Sequence, residues 1–157
     1  MTFRITGLPL TQFQHLFGLS DEALASKGAK RYIANSKPGF PDRISMRDAE
    51  LGETLLLLNY LHQPADTPYR ATHAIFVSEA AKQTYDVEGE VPEVLRVRPI
   101  SLRAYDDAHM MVTGVLAHGD DVEKEIKKLL TNPETSYIHA HNATRGCYAG
   151  LITRSKN

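Results

Sequence analysis

Apolar residues fall along this chain mostly in short runs bounded by turn residues, and only rarely in helical stripes. "FRI" at Phe3 reads as a short opening strand. After it, Pro9 suits a helix first turn, and Leu10, Phe13, Leu16 and Phe17 form a stripe of helical spacing. Ser20 followed by Asp21 and Glu22 is an N-capping signal, and Gly28 a stop, so a second short helix is predicted between them. "KRYIA" reads as a strand, and "NSKPGFPDR" as a loop set by two prolines and a glycine. The consecutive leucines of "ETLLLLNYL" predict a strand buried on both faces. "HQPADTPYR" is then a polar loop and "THAIFV" another strand. "EVLRVR", "ISLRAY" and "MMVTGVL" continue the strand pattern, with Asp106 and Asp107 turning the last two into a hairpin.

"DDVEKEIKKLL" is the clearest helix: Val122, Ile126, Leu129 and Leu130 share a face, Asp120 is placed to cap, and Asn132-Pro133 ends it. "YIHAHNATRGCYAG" closes the chain as a hairpin. Strands outnumber helices and do not alternate with them regularly. The prediction is α+β, a mainly antiparallel sheet with two to three helices ending in a β-hairpin, as a single domain over residues 1–157.

Composition narrows the partners. With 18 Lys+Arg against 19 Asp+Glu the net charge is −1, so no surplus of cations points to nucleic acid. The longest apolar run, "TLLLLNYL", is strand-length and far short of a membrane span. Pro9, Gln12, Gln14 and His15 interrupt any signal-peptide core, and a single cysteine cannot form an internal disulfide. A soluble cytoplasmic protein is the expectation.

Candidate chemistry concentrates in the closing hairpin. Period-two alternation puts Tyr137, His139 and His141 on one face. A three-residue loop, Thr144-Arg145-Gly146, would use Gly146 at the position that needs φ > 0 and would set Cys147 on the histidine face. Its Cβ would then lie on the order of 7 Å from that of His141. Three chemistries fit. A metal could take His139 and His141, completed by Cys147, His73 or His62, since tetrahedral sites need three or four ligands. Cys147 could act as a nucleophile with His141 as its base. The histidines, Asn142 and an arginine could also hold a polar or anionic molecule by hydrogen bonds alone. Against all three stands a plain sheet face with satisfied histidines and a buried thiol.

Elsewhere, Tyr69, Arg70 and His73 sit at a loop-to-strand junction, where a rigid scaffold often holds binding residues. Arg103, with Tyr105 and Asp106, is an anion contact or a salt-bridged hairpin end. Arg96 and Arg98 share a strand face and are expected in solvent; Met110-Met111 reads as packing, and "KPGF" as a turn.

"GLSDEALASKGAKRY", "KPGFPDRISMRDAELGETLLLLNY", "SLRAYDDAHMMV" and "YIHAHNATRGCYA" together resemble a family of short bacterial proteins catalogued as domain of unknown function 1203. The resemblance runs from about Phe3 to Thr153 and implies a stand-alone bacterial domain, with no activity, substrate or cofactor attached. The family's terminal segment corresponds to His139, His141, Arg145, Gly146, Cys147 and Tyr148. The segment resembling "KPGFPCR" has Asp42 where the family pattern leads one to expect cysteine, which argues against a two-cysteine redox pair or a cysteine-rich metal site. Asp42 joins the candidates as a metal ligand or a group orienting a histidine.

The functional expectation is a small-molecule-binding domain, with its enzyme status and cofactor open. His141 is given the part of general base and His139 substrate or metal contact. Cys147 serves as wall or nucleophile, Arg145 or Arg70 as anion clamp. The alternatives are a non-catalytic interaction module, such as a homodimer through a strand edge, and a metal-binding protein using His139 and His141.

Overall fold

The computed structural model describes residues 2–156 and arranges them in three layers: a helix, a six-stranded sheet and a three-stranded sheet. In chain order the strands are β1 (Phe3–Thr6), β2 (Lys30–Ile33), β3 (Thr54–Gln63), β4 (Ala71–Ser78), β5 (Asp86–Glu88), β6 (Ile100–Tyr105), β7 (Met111–Ala117), β8 (Tyr137–Asn142) and β9 (Tyr148–Arg154). The helices are α1 (Asp21–Ser26), α2 (Glu93–Arg96) and α3 (Asp121–Thr131). The large sheet runs β5-β1-β9-β8-β6-β7, the small one β2-β3-β4, and every strand pair is antiparallel. The α+β class and the terminal β8–β9 hairpin agree with the sequence pattern.

The outer layer follows from helical periodicity. Val122, Ile126, Leu129 and Leu130 of α3 pack against Ile100, Leu102 and Ala104 of β6 and Ile138 and Ala140 of β8. Each of the valines, leucines and isoleucines among these contributes roughly 1.5–3 kcal/mol on burial. The opposite face of the large sheet meets the small one. Leu56, Leu58, Ile75 and Val77 pack with Tyr148 of β9 in a second apolar cluster, closed on its flank by Leu8, Phe13, Leu16 and Leu24.

Local expectations differ from the structure at several points. The stripe from Leu10 to Phe17 forms two 3-10 turns, Leu10–Gln12 and Gln14–Leu16, because Phe13 between them leaves helical φ/ψ. Ser20 does cap α1, its Oγ accepting from the Ala23 N–H, whereas Asp120 makes no side-chain cap on α3. "EVLRVR" is not a strand: Pro92 opens the helical turn α2, which buries Val94 and Leu95. Arg96 and Arg98 accordingly do not share a solvated strand face. Arg96 donates to the Val91 carbonyl, and Arg98 to the Val94 carbonyl and to Asp48 at 2.7 Å. β3 is longer than expected and takes His62 and Gln63 out of the supposed polar loop. Nor is it buried throughout, since Asn59 is exposed and Leu57 half-buried.

Candidate functional site

Two strand pairs from different sheets deliver four histidines to one place. On β8, His139 and His141 point from the large sheet toward the small one. On the small sheet, His62 follows Leu56, Leu58 and Tyr60 in phase along the inner face of β3, and His73 lies opposite Tyr60 on β4. The rings interleave: His62 stacks on His73 with centroids 4.7 Å apart and meets His141 edge-on at 4.9 Å. His73 lies 5.3 Å from His141. His139 stands one step further along, 6.3 Å from His141, among the rings of Tyr105, Tyr137 and Tyr148. Ring nitrogens of His62, His73 and His141 lie within 4.8 Å of one another, which His139 does not match.

Hydrogen bonding in the cluster is incomplete. His141 Nδ1 donates to the Gly146 carbonyl at 2.9 Å, which leaves Nε2 a lone pair that is buried and unpartnered. His62 Nε2 and His73 Nδ1 are 2.7 Å apart and share one proton. His62 Nδ1 and His139 Nδ1 are also buried without partners. Buried polar atoms are seldom left this way, so three in one cluster need a cause.

Burial and neighbouring cations hold the imidazoles neutral. Burial pushes His62 down to about 4, aided by His73 and Arg103. It pushes His139 and His141 to about 3; for His141 the Gly146 carbonyl opposes the shift. His73 is lowered by burial, Arg103 and Arg43. Arg103 is the cross-strand partner of His139 and projects on the same face. Its Nε donates to Ser101 Oγ at 3.2 Å, and among the described residues it has no carboxylate partner.

The hairpin tip departs from the expected geometry. Asn142 N–H donates to the Cys147 carbonyl and Gly146 N–H to the Asn142 carbonyl, so the loop has four residues, 143–146. Gly146 does adopt positive φ, 81°. The extra residue moves Cys147 off the histidine face. Its sulfur accepts from Arg43 Nη2 at 3.1 Å and Asn142 Nδ2 at 3.6 Å, and His141 instead pairs with Tyr148 across the hairpin. Among the described residues the side-chain partners of the Cys147 sulfur are thus Arg43 and Asn142 and not the base that the nucleophile reading requires.

Arg43 is the group the sequence did not single out. It is 2% exposed, and its remaining donors go to the carbonyls of Tyr148 and Pro41. Burial lowers its pKa, and the Cys147 sulfur is the first group acting the other way. Beside it a cavity of about 710 Å³ opens where β4 is left uncovered between loop 35–43 and the hairpin tip. Its walls bring together Arg43, His73, Asn142, Arg145 and Cys147, facing Phe40, Phe76 and Tyr32. A second cavity, about 720 Å³, lies across the cluster against His62, His139, Tyr137 and His109.

The remaining candidates lie elsewhere. Tyr69 packs edge-on against Tyr105 at 6.2 Å, and exposed Arg70 bonds the Pro64 carbonyl in its own loop. Asp42 makes no hydrogen bond to a histidine among the described residues. It is 1% exposed, and its two oxygens accept from the N–H groups of Ile44, Ser45 and Ser78 and from the Ser45 hydroxyl. His62 was legible as the in-phase continuation of β3. His109, at φ 62° in the β6–β7 turn and 2.8 Å from the Tyr137 hydroxyl, carried no sequence signal.

The fold and cluster define a class: an α+β protein with two stacked antiparallel sheets and histidines converging between them. Within it, the chain belongs to the family described as "Protein of unknown function (DUF1203)", whose model matches residues 39–154 and so takes in every histidine of the cluster. No curated protein matches the chain, and no solved structure does. No helix among the described residues is long and apolar enough to cross a membrane.

Proposed function

We propose that this protein binds a small oxyanionic molecule with an apolar body in the cavity between loop 35–43 and the hairpin tip. The supporting observation is electrostatic. Arg43 is buried beside that cavity with no carboxylate in ion-pair range among the described residues, and Arg145 on the same wall is likewise unpaired. Arg98, the third guanidinium there, is neutralised by Asp48. A buried cation with weak compensation favours an anion next to it. Phe40 and Phe76, with ring centroids 5.2 Å apart, offer an apolar wall for the rest of the molecule, and the cavity's volume suits a small ligand. Asn142 supplies an amide, and His73 is the imidazole that meets the ligand. Substrate contact is the part assigned from sequence to His139, which borders the second cavity instead.

The test is calorimetric titration in the presence of chelator with benzoate, inorganic phosphate and benzamidine. Benzoate is expected to bind in the millimolar range or tighter. Arg145→Gln should weaken it several-fold, and Phe40→Ala should weaken benzoate more than phosphate. Benzamidine binding as well as benzoate, or indifference to Arg145→Gln, overturns the proposal.

A further inference from the structure

We infer that His62, His73 and His141 form the three-nitrogen site of a divalent transition-metal ion, with a fourth position opening toward the cavity that His73 lines. The site shares His73 and its cavity with the small-molecule reading but does not rest on it, since its other two ligands come from the seam between the sheets and anion binding is read with chelator present.

Geometry carries the assignment. Three ring nitrogens from three strands lie within 4.8 Å of one another. A tetrahedral ion with Zn–N bonds of about 2.0–2.1 Å places its nitrogens roughly 3.3 Å apart, so small ring movements would admit one. The His141 tautomer is already set. With Nδ1 committed to the Gly146 carbonyl, the lone pair on Nε2 has no partner in a residue that is 0% exposed. A carbonyl on the far nitrogen is the usual way a protein orients a metal-bound imidazole. The 2.7 Å contact between His62 Nε2 and His73 Nδ1 holds a single proton between two lone pairs. An ion in its place would use a lone pair from each of these nitrogens together with that of His141, the displaced proton moving to the far nitrogen of its own ring so that all three imidazoles stay neutral.

Donor type limits the ion. Three imidazoles without thiolate or carboxylate suit Zn²⁺, Cu²⁺, Ni²⁺ or Fe²⁺ and not Ca²⁺ or Mg²⁺. Without an anionic ligand the bound ion keeps its full charge. Three protein ligands plus an open position is the arrangement of zinc sites that bind water or substrate, not of closed structural ones. His139 is not assigned as a ligand although the sequence pairs it with His141: its ring lies 5.7 Å from His62 and 6.3 Å from His141, and it is outside the group whose nitrogens lie within 4.8 Å of one another.

The test is titration of chelator-treated full-length protein with Co²⁺, read by its visible absorption, with Zn²⁺ competition. One Co²⁺ per chain is expected, with the intense absorption of a four- or five-coordinate site. His141→Ala should weaken binding at least about 100-fold, whereas His139→Ala should change it no more than about 3-fold. His62→Gln, which keeps the side-chain volume, should behave as His141→Ala, and circular dichroism checks that each variant is folded. Absence of stoichiometric Co²⁺ binding by the folded wild type overturns the inference. So does a His139→Ala loss equal to that of His141→Ala. Benzoate binding in chelator is read separately, so failure of the metal site and failure of the anion site are distinguishable.

Discussion

Mild acid should destabilise the metal-free protein steeply, by an amount that follows from the histidine cluster. In the unfolded chain each histidine titrates near the ordinary 6.5, whereas in the folded protein His62 is held at about 4 and His139 and His141 at about 3. Above pH 6.5 both states carry neutral imidazoles and no difference arises. As pH falls below 6.5 the unfolded state takes up protons that the folded state refuses, so stability is lost down to the folded pKa values. Between about pH 7.5 and about pH 5.0 each of the three loses roughly 1.5 units at about 1.4 kcal/mol per unit, close to 2 kcal/mol. Together they remove about 6 kcal/mol, comparable to the whole stability of many domains of this size. Carboxylates do not confuse this window. Glu53 and Glu79 have lowered folded pKa values, so their contribution is present above the ordinary carboxylate range and lost only as pH falls below it. The assay is urea unfolding followed by far-ultraviolet circular dichroism at both pH values, with chelator present. His139→Gln should recover about 2 kcal/mol of the difference. Stability at pH 5.0 within about 1 kcal/mol of that at pH 7.5 would refute the neutral-cluster account.

Two further substitutions probe the loop that carries Arg43. A Cβ at Gly7 would lie 2.3 Å from the Ile44 carbonyl oxygen and 2.8 Å from that of Arg43, both backbone atoms. Gly7→Ala should therefore cost about 1–3 kcal/mol in urea unfolding, and unchanged stability would contradict the close approach. Asp42→Ala would strand four donors, three of them backbone N–H groups of Ile44, Ser45 and Ser78. A loss of at least about 3 kcal/mol is expected by the same assay, and a loss under about 1 kcal/mol would return Asp42 to the list of site residues.

What was legible in the sequence was whatever depends on local periodicity. The face shared by His139 and His141 follows from alternation in "YIHAHN", and α3 follows from four apolar residues at helical spacing. The identity of the third and fourth histidines depends on which sheet faces which, and no local pattern encodes that. His62 was hidden for a simpler reason. "HQPADTPYR" looks polar as a block, but strand β3 continues through its first two residues, and alternation from Leu56 carries His62 inward. The hairpin loop was misjudged by one residue. A glycine with positive φ closes a three- or a four-residue loop equally well, and that one residue decides whether Cys147 meets His141 or Arg43. Arg43 itself offered no pattern, because its burial comes from a loop docking along the β4 edge, where Arg43 N–H bonds the Phe76 carbonyl.

The position of the cluster in the sheet-to-sheet seam argues that it is retained at a cost. From Leu56 and Val77 through Leu58 and Ile75 the seam is apolar, and Tyr60 and Tyr148 continue it. Among backbone groups, only the Gly146 carbonyl, which accepts from His141, uses the polarity of these next positions in the described residues. Leucine or phenylalanine at 62 and 141 would extend the same packing and remove two of the buried ring nitrogens that now lack partners. Each such atom costs on the order of 1–3 kcal/mol when left unsatisfied. A protein that needed only this fold would gain stability by losing these imidazoles. A ligand that takes up their lone pairs would offset the cost in the bound protein alone, which is the physical basis of the metal site proposed above.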